Sequence, residues 1–193
     1  MAKRDKSNIT LGSGKIYLVA HTADAVPTVE SVCVAGNLLG YIKGGASLEY
    51  TQETYEEKDD LGFTSKIITT SEEAVLKCGL LTWNGNTLKD LVDRCTVTEA
   101  NGKRIAKIGG AGNSQGGKYA ICFHHEDKVD GDLWILIVGR NTAGVTITFA
   151  KDTGTVLEPE FKALPQDDKG TLVQLIEEIG TTTAPTGDDA GTT

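Results

Sequence analysis

The chain has 193 residues, a net charge of −8, 39% apolar and 24% charged residues, which suits one soluble globular domain with a sizeable core. No apolar run approaches the ~20 residues of a membrane span, and the charged start Met1-Ala-Lys-Arg lacks the apolar stretch of a signal peptide. An acidic balance disfavours direct nucleic-acid binding, which relies on Lys and Arg neutralising phosphates. The sequence therefore points to a protein made in a cytoplasm, without a membrane anchor.

Residues 1–14 are polar, end in Gly12-Ser13-Gly14, and read as a flexible arm. Lys15 to His21 alternates as a strand, Ile16, Leu18 and Ala20 facing away from Tyr17 and Val19. Thr22 to Asn37 carries Pro27 and Gly36 and reads as a loop holding one short strand. Leu38 to Tyr50 is a further strand, with the pair Gly44-Gly45 permitting a bulge.

Glu49 to Asp60 is the most acidic stretch, six carboxylates against the single Lys58, with Tyr50, Tyr55, Leu61 and Phe63 interleaved. It lies between two strand patterns, as an extended hairpin arm would, since Phe63–Thr70 and Ala74–Trp83 are again strand material. The bland alternative is a solvated loop. One helix is expected over about 87–95, where Leu88, Leu91, Val92 and Cys95 form an apolar stripe at i, i+3, i+4, i+7. Asn86 or Thr87 would cap it, and Asp90 would stand in its first turn, where the helix dipole favours negative charge.

Asn101-Gly102 marks a tight turn, and Gly109 to Gly117 is glycine-rich. From Lys118 on the chain is a series of short apolar segments. Tyr119, Ile121 and Phe123 alternate, Asp130-Gly131 offers a two-residue hairpin turn, and Leu133–Val138 is a solid run. Val145, Ile147 and Phe149 alternate, then Leu157, Phe161 and Ala163, and Leu172–Ile176 closes the series. Such spacing predicts a mainly β fold, an antiparallel sandwich or barrel with one flanking helix. After Ile179 the tail 180–193, rich in Thr, Gly and Asp, reads as disordered.

Motifs for chemistry fail on inspection. Gly112 to Lys118 matches seven positions of a phosphate loop, but Tyr119 stands where the hydroxyl ligand belongs and the loop leads into a strand. His124 and His125 are adjacent on a strand pattern and point to opposite faces, which prevents their sharing a metal ion. Asp127, Asp130 and Asp132 open like a calcium loop, but Asp132 replaces its glycine and Val138 its glutamate. Cys33, Cys78, Cys95 and Cys122 are irregularly spaced, without a C-x-x-C pair, and read as buried free thiols. No cofactor and no catalytic constellation is indicated.

Several segments together resemble the major tail tube proteins of tailed bacteriophages, over about residues 11 to 179. They are Leu39-Gly-Tyr-Ile-Lys-Gly-Gly-Ala-Ser-Leu-Glu-Tyr50, Tyr55-Glu-Glu-Lys-Asp-Asp-Leu-Gly62, Thr82-Trp-Asn-Gly-Asn-Thr-Leu88, His125-Glu-Asp-Lys-Val-Asp-Gly-Asp132, Thr148-Phe-Ala-Lys-Asp152 and Glu160-Phe-Lys-Ala-Leu-Pro-Gln-Asp-Asp-Lys-Gly-Thr-Leu172. The resemblance implies a non-enzymatic virion protein, a β-sandwich or barrel domain over 15–179. It would assemble with itself into hexameric rings stacked as a hollow tube through which DNA passes without specific binding. Implied partners are tail tip or baseplate and tail terminator proteins, with a sheath where the tail contracts.

By the same resemblance the loop 50–63 contacts the next subunit or ring, through Tyr50, Glu53, Tyr55, Glu56, Glu57, Asp59, Asp60, Leu61 and Phe63, helped by the terminal arms. Two other readings stay open: a monomeric β-sandwich binding module, for instance for carbohydrate, and a hydrolase using acids of the 49–60 region. Aromatics are only 6% of the chain and most fall in core phase, which weighs against the module.

Overall fold

The computed structural model describes residues 10, 12–22, 25–113 and 116–179. Most of the expected N-terminal arm and the whole tail 180–193 lie outside them. The described elements are β1 (Lys15–Ala20), α1 (Val29–Val32), β2 (Leu38–Lys58), β3 (Ser65–Leu80), α2 (Gly85–Leu91), β4 (Cys95–Ala100), β5 (Lys103–Ile108), β6 (Tyr119–His125), β7 (Leu133–Asn141), β8 (Glu160–Leu164) and β9 (Val173–Glu177). A single 3₁₀ turn, Ala35–Asn37, leads into β2.

The main sheet runs β6-β1-β2-β3-β8-β7-β9, and β6 also pairs with β7, so six strands close on themselves as an antiparallel barrel. Closure leaves no free edge around that ring, and it places β9 beside β8 on the far edge of β7. Of the two architectures expected, the chain adopts the barrel.

Strand alternation sorts the core into two parts. Ile16, Leu18, Leu76, Leu80, Ile121, Ile137 and Phe161 point inward and form the main cluster. Tyr17, Ala120, Cys122 and Leu136 point outward and are covered by Val32 of α1. That short helix stands where a loop with a strand was expected. It forms because Thr28 and Ser31 cap each other reciprocally, and a single turn then suffices to place Val32.

The second helix also differs from expectation. It starts at Gly85 because Asn84 Oδ1 accepts the amides of both Asn86 and Thr87 while Thr87 Oγ1 accepts the Asn84 amide. Leu88 and Leu91 enter the main core, but Cys95 belongs to β4, where the β-branched run Thr96-Val97-Thr98 takes over. Asp90 consequently sits in the last turn rather than the first.

Three further departures have physical causes. Val145 to Phe149 forms no strand: β7 is already paired on both edges, and among the described residues no strand pairs with this segment. Asp130-Gly131 is part of a longer loop, in which Asp127 Oδ1 accepts the amides of Val129 and Asp130 and Asp132 Oδ1 accepts that of Asp127. Residues 12–14 of the expected N-terminal arm pack on β6, the Ser13 carbonyl meeting His125 Nδ1 at 2.9 Å. The glycine pair behaves as expected: Gly44 and Gly45 both take φ +86, and the β2–β3 register slips between Ile42 and Ala46.

β4 and β5 form a separate two-stranded ribbon turned by Asn101 and Gly102, both at positive φ. Its inner face, Val97 and Ala106, packs on the main core. The cysteines are all free; Cys78, Cys95 and Cys122 are buried, and burial pushes the Cys78 thiol up to about 12.

Candidate assembly interface

Beyond Leu48 and Ala74 the paired strands β2 and β3 leave the barrel and continue as a free hairpin. Its register runs from Tyr50↔Ala74 to Lys58↔Ser65. At ~3.4 Å per residue the arm projects about 30 Å. Every residue from Glu49 to Glu73 is exposed. The segment expected as an extended loop over 50–63 is therefore mostly strand, and only Asp59 to Thr64 is turn.

The turn is closed by its own backbone. The Asp59 amide donates to the Thr64 carbonyl, Gly62 takes φ +72, and Asp59 Oδ1 accepts the Thr64 amide at 2.7 Å. That last bond holds the Asp59 carboxyl below its ordinary range. Leu61 and Phe63, 77% and 82% exposed, stand at the tip. Asp60 precedes them in the turn.

Alternation gives the arm two faces. One carries Tyr50, Gln52, Glu56 and Lys58 with Ile67 and Glu72 opposite. On it Tyr50 donates to Glu72 Oε1 at 2.6 Å, which raises the phenol pKa, and Lys58 pairs with Glu56 at 3.1 Å. The other face carries Glu49, Glu53, Tyr55 and Glu57, with Glu73, Ser71, Ile68 and Lys66 opposite. There Ser71 donates to Glu53 at 2.9 Å and Tyr55 donates to Glu57. The nine residues singled out in the sequence thus share one arm but not one face.

The return strand supplies partners that sequence reading left unassigned: Ile67, Ile68, Glu72 and Glu73. The adjacent pair Ile67-Ile68 could have shown them, since neighbours on a strand face opposite ways and a two-sided apolar strand needs cover on both sides. Between Glu49 and Glu73 lie eight acids and two lysines, so the arm holds −6 of the chain's net −8.

Where the arm leaves the barrel a cleft of about 460 Å³ opens, lined in part by Leu48, Tyr50, Glu72, Leu172 and Leu175. Elsewhere the histidines take separate partners, His124 Nε2 at 2.8 Å from Asp132 and stacked on Trp134, His125 against Ser13. Among the described residues no group of three or more His, Cys, Asp or Glu is arranged to hold a metal ion. No helix among them is long and apolar enough to cross a membrane.

A barrel with its ring of edges closed and one long exposed hairpin defines a mainly β protein that presents an unsupported arm. Compared with known proteins, the chain matches no family model and no curated relative.

Proposed function

We propose that the protein is a structural, self-assembling subunit without enzymatic activity, forming hexameric rings that stack into the tail tube of a bacteriophage. The single observation that carries this reading is the arm. An isolated two-stranded hairpin is marginal in water, and three or more strands with a covered face are needed for stability. Here twenty-five consecutive residues stand clear of the barrel with Tyr50, Tyr55, Leu61, Phe63, Ile67 and Ile68 all exposed. Such a surface gains stability when a neighbour covers it, by ~25 cal/mol per Å² of apolar area buried. The cover comes from another copy of the chain. The segments resembling tail tube proteins include the arm itself, Tyr55 to Gly62.

A contact between the arm and a different surface of the next copy is heterologous, and a heterologous contact whose rotation closes makes a ring. Net negative charge on the tube would keep DNA from adhering while it passes. The tube sits in the virion tail, is made in the host cytoplasm, and ends on tip and terminator proteins. Deleting Tyr55 to Asp60 tests the reading: the variant should keep its fold by circular dichroism and lose polymerisation. Normal tubes from that variant would refute the role given to the arm.

A further inference from the structure

On the arm face that carries Tyr55 and Ile68, the acids fall into two groups. Those nearest the barrel are neutralised from within the chain: Lys77 holds Glu49 at 2.9 Å and Lys162 holds Glu73 at 2.7 Å. Glu53 and Glu57, farther out, have no ion-pair partner among the described residues; Lys66 stands across from Glu57 without forming a salt bridge. The outer half of this face therefore reads acid, Tyr55, acid at a spacing of two residues.

The outer face of the β4–β5 ribbon shows the reverse pattern at the same spacing. Lys103, Ile105 and Lys107 alternate along β5, opposite Ala100, Thr98 and Thr96. Ile105 is 44% exposed. Arg104, on the inner face, is taken by Glu99 at 2.7 Å, whereas neither Lys103 nor Lys107 has an ion-pair partner among the described residues. Residues two apart on a strand are ~7 Å apart, so both triplets have one pitch and opposite charge.

The two surfaces do not meet within one chain. Arg104 lies against Gly85 at the start of α2, just past the end of β3 at Leu80. The arm's tip lies at the other end of the 16-residue β3, at Ser65, or roughly 50 Å along an extended strand. A donor at one end and an acceptor at the other make a head-to-tail contact between copies.

We infer that the arm of one copy lays its Tyr55–Ile68 face on the outer face of the β4–β5 ribbon of the next, Glu53 and Glu57 meeting Lys103 and Lys107 around Tyr55 and Ile105. This rests on the proposed self-assembly and names the surface that receives the arm. The occupant is a second copy because the arm supplies the counter-charge that both ribbon lysines lack. Ion pairs brought together over an apolar contact set register and suppress wrong partners.

A charge exchange tests it, with assembly followed by light scattering and electron microscopy at ~0.1 M salt, where the screening length is about 10 Å. Glu53→Lys with Glu57→Lys should raise the assembly threshold by roughly tenfold or more, and so should Lys103→Glu with Lys107→Glu. All four together should restore the original threshold to within roughly threefold. All sites are exposed, so melting temperatures should stay unchanged and report any folding failure directly. If the ribbon variant assembles normally while the Tyr55–Asp60 deletion does not, the ribbon is not the receptor and self-assembly through the arm still stands. If both paired variants fail and the fourfold combination stays dead, the pairing is overturned. If the unaltered chain never assembles, both readings fall.

Discussion

Tyr55 and Ile68 face each other directly across the β2–β3 arm, yet they are 52% and 47% exposed. A cross-strand aromatic–β-branched pair contributes only ~0.2–1 kcal/mol by itself. Replacing both by serine should therefore cost the monomer less than about 1 kcal/mol in denaturant melts. The same variant should assemble poorly, because the apolar surface that a neighbour would cover is gone. Equal loss of stability and assembly would mean that the pair serves the monomer's own fold.

Phe161 is fully buried in the barrel, pairs with Leu76 of β3 and Asn141 of β7, and joins strands far apart in sequence. Phe161→Ala should lower stability by about 3–5 kcal/mol, the cost of lost contacts plus a cavity. Chemical denaturation read by Trp83 and Trp134 fluorescence would measure it. A loss under about 1 kcal/mol would show that the barrel collapses freely around the gap.

Asn84 satisfies two amides at the start of α2. Asn84→Ala should cost about 1 kcal/mol, and Asn84→Ser or Asn84→Asp should recover most of it. No difference between alanine and serine would show that the helix is held by Leu88 and Leu91 alone.

Burial raises the Asp90 carboxyl above its ordinary range, with Lys89 opposing the shift. Its place in the last turn of α2, near the negative end of the helix dipole, is also unfavourable for a carboxylate. The folded chain thus keeps this proton at a pH where the unfolded chain has released it. The resulting stabilisation is full below the unfolded pKa near ~4 and is lost as pH rises through the raised value. Asp90→Asn should melt higher than the original chain at pH 7, and the gap should close as pH falls toward ~3.5. A gap that persists at low pH would point to a packing effect.

Much of the barrel was legible because its strands alternate by burial. Ile16 and Leu18, Ile121 and Phe123, and Leu157, Phe161 and Ala163 all sit in the core as their spacing implies. Pairing was not legible, because it depends on segments far apart. Val145, Ile147 and Phe149 alternate as well as any strand, yet β7 is already paired on both edges, no strand among the described residues pairs with them, and Phe149 is exposed. The arm shows the converse: Glu53, Glu56 and Glu57 have low strand propensity, and their extended form comes from pairing with Ser71, Ile67 and Lys66. The helix boundary slipped because Asn84, Asn86 and Thr87 are all good caps, and only geometry shows which one accepts the amides. Of the candidate interface, the outgoing residues Tyr50 to Phe63 were visible as an acidic, aromatic stretch. Its partners Ile67 and Ile68 look like ordinary strand in the sequence, since burial is a property of the folded surroundings.

The most direct test of the central claim is negative-stain electron microscopy of the purified chain across a concentration series. Six-fold rings and hollow tubes should appear above a threshold concentration. Particles that remain single barrels at the highest concentrations would contradict it.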